Sequence, residues 1–597
     1  MGDRRFVVEL VKPSHYDDDG YVIQWWKSWI PSNSLASLYG IATDIAQRRA
    51  LGPDVAVEIR AYDECHTVIP IRQIIRRVKA ANAGLVCLVG VQSNQFPRAM
   101  DLATRFRTAG IAVAIGGFHV SGCLAMLPDL PHDLEQARQA GITLFAGEAE
   151  GRLEGLFADA LAGRLQPIYN HMDELPPLQQ QVTPFLPIDI VRRYGETIGA
   201  FDAGRGCPFQ CSFCTIINVQ GRKSRWRDAD DVERLVRANL AQGVFRFFIT
   251  DDNFARNRNW EAIFDRLILM REQEGLRLQF IIQVDTLCHR IPNFIDKAAR
   301  AGCKRVFIGL ENVNPDNLLS AKKKQNRVHE YRAMFHAWRA RQVITYAGYI
   351  LGFPGDTAER IARDIETVQR ELPVDLLEFF ILTPLPGSAD HQALATHGVW
   401  MDPDMNKYDL EHVTTGHPVM SAGEWQRVYR DAWDLYYSEA HIETIFRRAK
   451  ASGIKPVRLL NHILQFYFTF IQENVHPLQG GYFRRKVRRS RRTGLPLENP
   501  LLFYPRRLRE VVETHTKLAA FYLYLHRIRR RVERDNRPYI DPALTPLADP
   551  EPPPPPHGGS ATLTAPPHER DCVYTPVPPP RRMRRAIDQR WTSEGPS

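Results

Sequence analysis

Cysteine is scarce in this chain of 597 residues, and six of the nine stand singly, at Cys65, Cys87, Cys123, Cys288, Cys303 and Cys572. That pattern excludes a disulfide scaffold, which needs cysteines in a dense and even array. Long apolar runs are missing too. None approaches the roughly eighteen residues that a membrane span requires, and no apolar stretch follows the charges of the opening Met-Gly-Asp-Arg-Arg-Phe6, so neither a span nor a secretory signal is expected. Unpaired thiols without an export signal point to a reducing cytoplasm. What is present is ordinary for folded domains: 44% hydrophobic and 24% charged residues, on a length that allows about two to four cores.

The charge is unevenly spread. The chain carries a net +10, yet residues 441–540 alone hold 22 lysines and arginines against 7 acids. The basic character therefore belongs to the C-terminal part, and the remainder is net acidic.

The three remaining cysteines form one tight group, Cys207-Pro-Phe-Gln-Cys211-Ser-Phe-Cys214, directly after Phe201-Asp-Ala-Gly-Arg-Gly206. Thiolates are the ligands of iron–sulfur clusters, and a compact loop can bring three of them to three irons of one cube. With no fourth cysteine nearby, one iron stays open for a small molecule. The competing reading is zinc, which in structural sites takes four ligands.

Strand-like and helix-like stretches alternate on both sides of this loop. Upstream, the strands Phe6–Leu10, Val55–Ile59, Leu85–Val91, Ala112–Ile115 and Thr143–Phe145 frame the helices Ser34–Arg48, Pro70–Ala81 and Pro97–Ala109. This predicts a parallel α/β domain over about 1–165, with ligands beyond the strand ends. A Pro- and Gln-rich linker follows at 166–195. Downstream, Phe245–Thr250, Leu278–Val284, Arg305–Leu310, Thr345–Leu351 and Leu377–Thr383 recur as strands in a second α/β unit over 196–400, whose chemistry belongs at the strand C-termini. A helical, basic region follows at 401–541, with helices expected at Glu424–His441 and Val457–Asn474. The Pro-rich stretch 542–597 has the composition of a disordered tail.

The spacing Cys-x3-Cys-x2-Cys resembles the cluster loop of the radical S-adenosylmethionine (SAM) enzymes. Gly348-Tyr-Ile350-Leu-Gly352-Phe-Pro-Gly355 matches that family's Gly-x-Ile-x-Gly-x-x-Gly motif at every fixed position. The resemblance implies a partial (β/α)6 barrel and a 4Fe–4S cluster on Cys207, Cys211 and Cys214. It also implies reductive cleavage of SAM with an electron from a donor such as flavodoxin or ferredoxin. Carried over position by position, Ile350 meets adenine while Gly348, Gly352 and Gly355 keep the wall low. Asp251 or Asp252 takes the methionine ammonium, a helix cap being the competing role for Asp252 and Asn253. Glu311, before Asn312, accepts from ribose hydroxyls or the ammonium.

The N-terminal part resembles the Rossmann-like cobalamin-binding domain that precedes many radical SAM cores, through Gly116-Gly-Phe-His119 and Gly147-Glu-Ala-Glu-Gly151. That likeness implies cobalamin contacts at Ser93, Gly116, Gly117 and His119. On physical grounds the two glycines equally suit a tight turn. The family's Asp-x-His-x-x-Gly signature is absent. Asp63 and His66 occupy the matching loop at a longer spacing, which leaves His66 open between a cobalt ligand and a polar loop residue.

The resemblance as a whole implies a class B radical SAM methyltransferase, adding a methyl group to an unactivated carbon of a small-molecule or lipid substrate. A cobalamin-independent rearrangement, cyclisation or oxidation is the alternative. An RNA-modifying enzyme is the third, disfavoured because no second three-cysteine set exists. The basic clusters Arg484–Arg492 and Arg527–Arg531, beside Tyr504, Phe521, Tyr522 and Tyr524, suit an anionic membrane surface, RNA, or simply solvent.

Overall fold

A computed structural model describes residues 4–546, which form one compact unit. The stretch from 547 onward, most of the expected tail, lies outside the described residues. The first residues assigned to that tail are packed instead: Pro542–Leu544 make a 3₁₀ turn capped by Asp541, and Ala543 is fully buried.

Two six-stranded sheets, all of whose strand pairs are parallel, carry the architecture. The first runs in the order Val55–Asp63, Arg4–Lys12, Ala83–Leu88, Ala112–Gly116, Thr143–Ala146, Ile168–Asn170. Its strands are apolar on both sides because both faces are covered. Phe6, Val8 and Leu10 enter one core while Val7 and Val11 enter another. The core on the Phe6 side continues without a break into that of the second sheet. Strand order reverses at Arg4–Lys12, the point in such sheets where a crevice opens beyond the strand ends.

The second sheet follows chain order: Ile198–Phe201, Arg246–Ile249, Gln279–Val284, Cys303–Glu311, Ile344–Leu351 and Leu376–Ile381. Its first and last strands are not paired with each other, so it is an open (β/α)6 barrel. Burial alternates along the strands. Phe247, Ile282, Val306 and Leu377 are buried on one side, whereas Phe248, Ile281, Arg305, Phe307, Tyr346 and Phe380 on the other are only half-buried and line a hollow lumen.

Four elements differ from the sequence reading. The expected helix Glu424–His441 breaks at Tyr437–Ser438 into Ala422–Tyr436 and Glu439–Ala451, the second started by the Ser438 N-cap. Ile168–Asn170 lies within the segment read as a linker, yet it adds an edge strand to the first sheet; three residues are too few to show alternation. Ile198–Phe201, the first barrel strand, has only four residues. The stretch Val457–Asn474 is not one α-helix but two, joined by a π-helical turn at Leu464–Phe468.

Part of the first basic cluster folds back on the rest of the chain, while Arg485 and Arg489 stay exposed. Gly481–Arg485 pairs with Gln24–Ser28, Arg484 bridges to Asp17 at 2.9 Å, Lys486 to Asp19 at 3.0 Å and Arg492 to Asp404 at 2.7 Å. In the second, Arg529 pairs with Glu533 at 2.9 Å and Arg531 with Glu443. No helix among the described residues is long and apolar enough to cross a membrane.

One lumen-side acid has no charged partner among the described residues. Glu378 is fully buried, neither carboxyl oxygen has a hydrogen-bond partner among those residues, the His476 imidazole 4.0 Å away is kept neutral by burial, and burial raises the Glu378 pKa to about 8. Unfolded, the group ionises near 4.5; folded, it keeps its proton to about 8. Its contribution to stability is therefore fully present below about pH 4.5 and lost as pH rises through about 8. Between those limits the loss is at most about 1.4 kcal/mol per pH unit. Glu378→Gln should melt higher than the parent chain at pH 8.5 and at nearly the same temperature at pH 4.5, as thermal melts across that range will test.

Candidate active site at the junction of the two sheets

The loops that leave the C-terminal strand ends of both sheets meet around Arg205. Its guanidinium reaches Glu148 at 2.7 Å, Glu150 at 2.7 Å and Asp202 at 3.0 Å, and the three acids are almost wholly buried with it. Glu148 and Glu150 belong to the Gly147–Gly151 loop of the first sheet; Arg205 stands two residues before Cys207. Arg225 adds a second bridge to Glu148, and Arg227 a contact to Asp202 at 3.4 Å. Four buried charges tie the first domain to the cluster loop.

Asp251 and Asp252, adjacent in sequence, do different work. Asp251 accepts the backbone N–H groups of Ala203 at 2.7 Å and Gly204 at 2.8 Å and the Asn257 amide at 2.8 Å, so it shapes the entry to the cluster loop. The Asp252 carboxyl takes no hydrogen bond from another residue among those described. It lies close enough to Cys207 and Cys214 that its charge raises both thiols. Burial pushes both aspartates up to about 7, and Asp251 adds to the shift on Asp252. A carboxylate held unpaired in such a place wants a cation.

The three thiols are mutual neighbours: burial raises Cys207, and Cys214 to about 12, with Cys211 adding to both. The Gln325 amide donates to the Cys211 sulfur at 3.3 Å. Among the described residues no three Cys, His, Asp or Glu side chains converge on a single ion position. A cluster takes one thiolate per iron, so its ligands stand further apart than those of one zinc ion. The grouping fits a cluster better, and bound iron would hold these thiols deprotonated.

Glu311 sits at a strand irregularity with φ at +61°, a conformation rare outside glycine, and pairs with the buried Lys323. Lys323 lies 5.6 Å from the Phe213 ring centre, beside Cys211 and Cys214. Ile350 packs with Ala321 and Phe353, next to Phe213 and Phe380, in an apolar wall on the cluster side of the lumen. The motif glycines divide. A Cβ on Gly348 would sit 3.0 Å from the Phe307 and Phe380 rings, and one on Gly352 2.0 Å from Trp425, which donates to the Leu351 carbonyl. Those two make room for aromatic rings. Gly355 alone has room for a Cβ, which would make only an ordinary contact with Asn317 Oδ1 at 3.7 Å.

A cavity of about 1000 Å³ opens between the first sheet and the cluster loop. Gly116, Gly117, Ser121 and Glu148 line one side, Arg205 and Gln220 the other. Three of its lining polar atoms, Asn33 Oδ1, Ser37 Oγ and Gln220 Oε1, are buried without a partner among the described residues, as expected of a wall built for a polar ligand. At Gly117 a Cβ would meet the Val91 N at 2.2 Å, so the turn itself demands glycine. Ser93 and His119 do not line the cavity. His119 is buried between Ser93 at 3.2 Å and Asp133 at 2.8 Å, against the Phe96 ring, and so braces the turn from behind. His66 is also turned away: it packs edge-on against Tyr194 with Nδ1 2.9 Å from Thr67 Oγ1, and burial holds its pKa near 4.

Comparison with known proteins agrees with this geometry. Residues 203–368 match the model of the radical SAM superfamily. The chain carries a radical SAM domain. Such a domain implies a 4Fe–4S cluster and SAM. Among curated relatives, the chain is 28% identical over 324 residues to bacteriochlorophyllide d C-12(1)-methyltransferase of Chlorobaculum tepidum, covering 53% of this chain and 66% of that one. It is 23% identical over 298 residues to hopanoid C-2 methylase of Rhodopseudomonas palustris, covering 48% and 53%. Thus it spans somewhat under two thirds of the first relative and about half of the second. In fold it is similar to the radical SAM methyltransferase TsrM of Kitasatospora setae, solved with cobalamin and a [4Fe–4S] cluster (TM-score 0.54, 16% identity, 76% of this chain and 95% of that one). The cobalamin-dependent radical SAM enzyme OxsB, solved with aqua-cobalamin and SAM, has a TM-score of 0.50 at 14% identity, over 89% and 80%.

Arg205, Lys323 and Gln325 around this radical SAM domain escape sequence reading, since their partners lie 55, 12 and 114 residues away. Arg205→Met should leave the buried Glu150 without its cation, take one of two cationic partners from Glu148 and from Asp202, and lower stability by roughly 3–5 kcal/mol, measurable by denaturant unfolding, with a parallel loss of iron after reconstitution.

Proposed function

We propose that the chain is a cobalamin-dependent radical SAM methyltransferase acting on an unactivated carbon of a small-molecule or lipid substrate. The observation that carries this reading is that the first-domain cavity and the cluster loop share a wall: Arg205 and Gln220, which flank Cys207–Cys214, line the cavity. Two cofactor sites would thus adjoin. When bound, the cluster supplies the electron that cleaves SAM to a substrate-activating adenosyl radical, and cobalamin supplies the methyl group.

The chain's own residues would divide the remaining work. Cys207, Cys211 and Cys214 hold three irons. Asp252 pairs with the methionine ammonium, while Asp251 fixes the backbone beneath it. The Glu311–Lys323 pair offers an acceptor to ribose hydroxyls and a cation to the methionine carboxylate. Ile350 and its apolar neighbours hold adenine and keep water from the radical. Gly116, Gly117, Ser121, Asn33, Ser37 and Gln220 receive cobalamin, with no side-chain ligand to cobalt from His66. The electron would come from a flavodoxin or ferredoxin. Membrane contact falls to the helix Pro500–Arg534, where Leu501, Leu508 and Val512 are exposed.

Incubation of the reconstituted protein with cobalamin, dithionite and methyl-labelled SAM should yield 5′-deoxyadenosine and label on cobalamin. Asp252→Asn should raise the SAM concentration needed for half-maximal cleavage by about tenfold or more, the loss of one charge-assisted bond. Cleavage without label on cobalamin would favour the cobalamin-independent chemistry.

A further inference from the structure

The barrel has a second opening, at the N-terminal ends of its strands, away from the cluster. An empty space of about 750 Å³ lies there between the barrel floor, Trp29 of the N-terminal part and the C-terminal segment around the π-turn. Ile281, Tyr346, Leu376, Phe466 and Leu478 give it an apolar, aromatic wall. π-Turns are rare in helices and concentrate at functional sites, and this one delivers Gln465 and Phe466 to the wall.

A second space, about 1010 Å³, adjoins it and shares Ile198, Ile281, Arg305 and His462. Its character is opposite. Arg246, Lys304, Arg305 and Arg458 line it, and the one acid among its lining residues, Glu196, is already shared by Arg305 at 3.2 Å and Arg246 at 3.9 Å. Lys304 and Arg458 make no ion pair among the described residues. Burial and the nearby Arg271 and Arg458 hold the Lys304 ammonium below the usual lysine range, the mark of a cation gathered among cations. Such a cluster at the mouth of an apolar cavity matches one kind of ligand. Above the floor, the Phe307 and Phe380 rings flank Gly348, and Phe380 also packs beside the Ile350 wall on the cluster side.

We propose that the barrel floor is the substrate's binding site and that the substrate is an anionic amphiphile. Its carboxylate or phosphate is held by Lys304, Arg305 and Arg458, and its apolar body extends up the lumen toward Phe307, Phe380 and the cluster loop. This rests on the methyltransferase reading above, to which it adds a substrate class and a direction of entry. The reacting carbon then lies in the apolar body, remote from the charged end, which is where an unactivated carbon would be found.

The test is fluorescence titration of the reconstituted full chain with cis-parinaric acid, a fluorescent long-chain carboxylate, and with its uncharged methyl ester. The acid should bind with energy transfer from tryptophan, and the ester at least about tenfold more weakly. Lys304→Glu should weaken the acid by about tenfold or more without affecting the ester. Ile281→Trp, which fills the floor, and Leu478→Arg, which charges its half-exposed rim, should each weaken both probes; circular dichroism and iron content report whether the variants fold. Palmitate and farnesyl phosphate should displace the acid, the tighter of the two identifying the head group. No binding, equal binding of acid and ester, binding indifferent to the substitutions in folded variants, or displacement by neither competitor would overturn the proposal. A chain that cleaves SAM yet binds no probe loses only this inference; one that binds the probe but never cleaves SAM loses the function proposed above and keeps the site.

Discussion

The buried guanidinium of Arg205, divided among Glu148, Glu150 and Asp202, is the constraint on which the arrangement depends. Charges so enclosed persist only when each finds a partner, because the unpaired alternative is far costlier than the pair is favourable. The network therefore works as a positioning device. It holds the Gly147–Gly151 loop of one sheet at a set place relative to Cys207, and so fixes the distance between the first-domain cavity and the cluster loop. Asp251 extends the same control by gripping the two amides just ahead of Arg205. The continuous apolar core beneath them gives this polar layer a rigid base.

The barrel separates its tasks by height. Side chains at the strand C-termini, Asp252, Glu311 and Ile350, face the cluster loop, while Ile281, Arg305, Tyr346 and Leu376 face the floor. Between them the motif glycine Gly348 makes room for the Phe307 and Phe380 rings. The C-terminal region completes the floor through Phe466 and Leu478 and is anchored there by its own basic residues on Asp17, Asp19 and Asp404. Part of the positive charge that distinguishes this region is thereby engaged in ion pairs within the protein.

What could be read from the sequence was whatever is local or periodic. Three cysteines in eight residues, the strand-ending Gly348–Gly355 motif and the long apolar strands announce themselves within a short window, and the α/β class follows. Three-residue Ile168–Asn170 and four-residue Ile198–Phe201 were not legible, because a strand needs several alternations to stand out. Nor could the sequence assign Ser93 and His119. A glycine turn followed by histidine suggests a ligand contact, but whether the imidazole faces the cavity or the helix behind it depends on Phe96 and Asp133, which no spacing reveals. The roles of Arg205, Lys323 and the floor cations are non-local in the same sense: each depends on residues that only folding brings near.

The central claim is that one chain holds an iron–sulfur cluster and cobalamin side by side. Metal analysis of the chain, purified without oxygen, reconstituted with iron and sulfide and incubated with hydroxocobalamin, tests it most directly. The account predicts about four irons and about one cobalt per chain, with iron falling on Cys207→Ala. Iron without cobalt would contradict it.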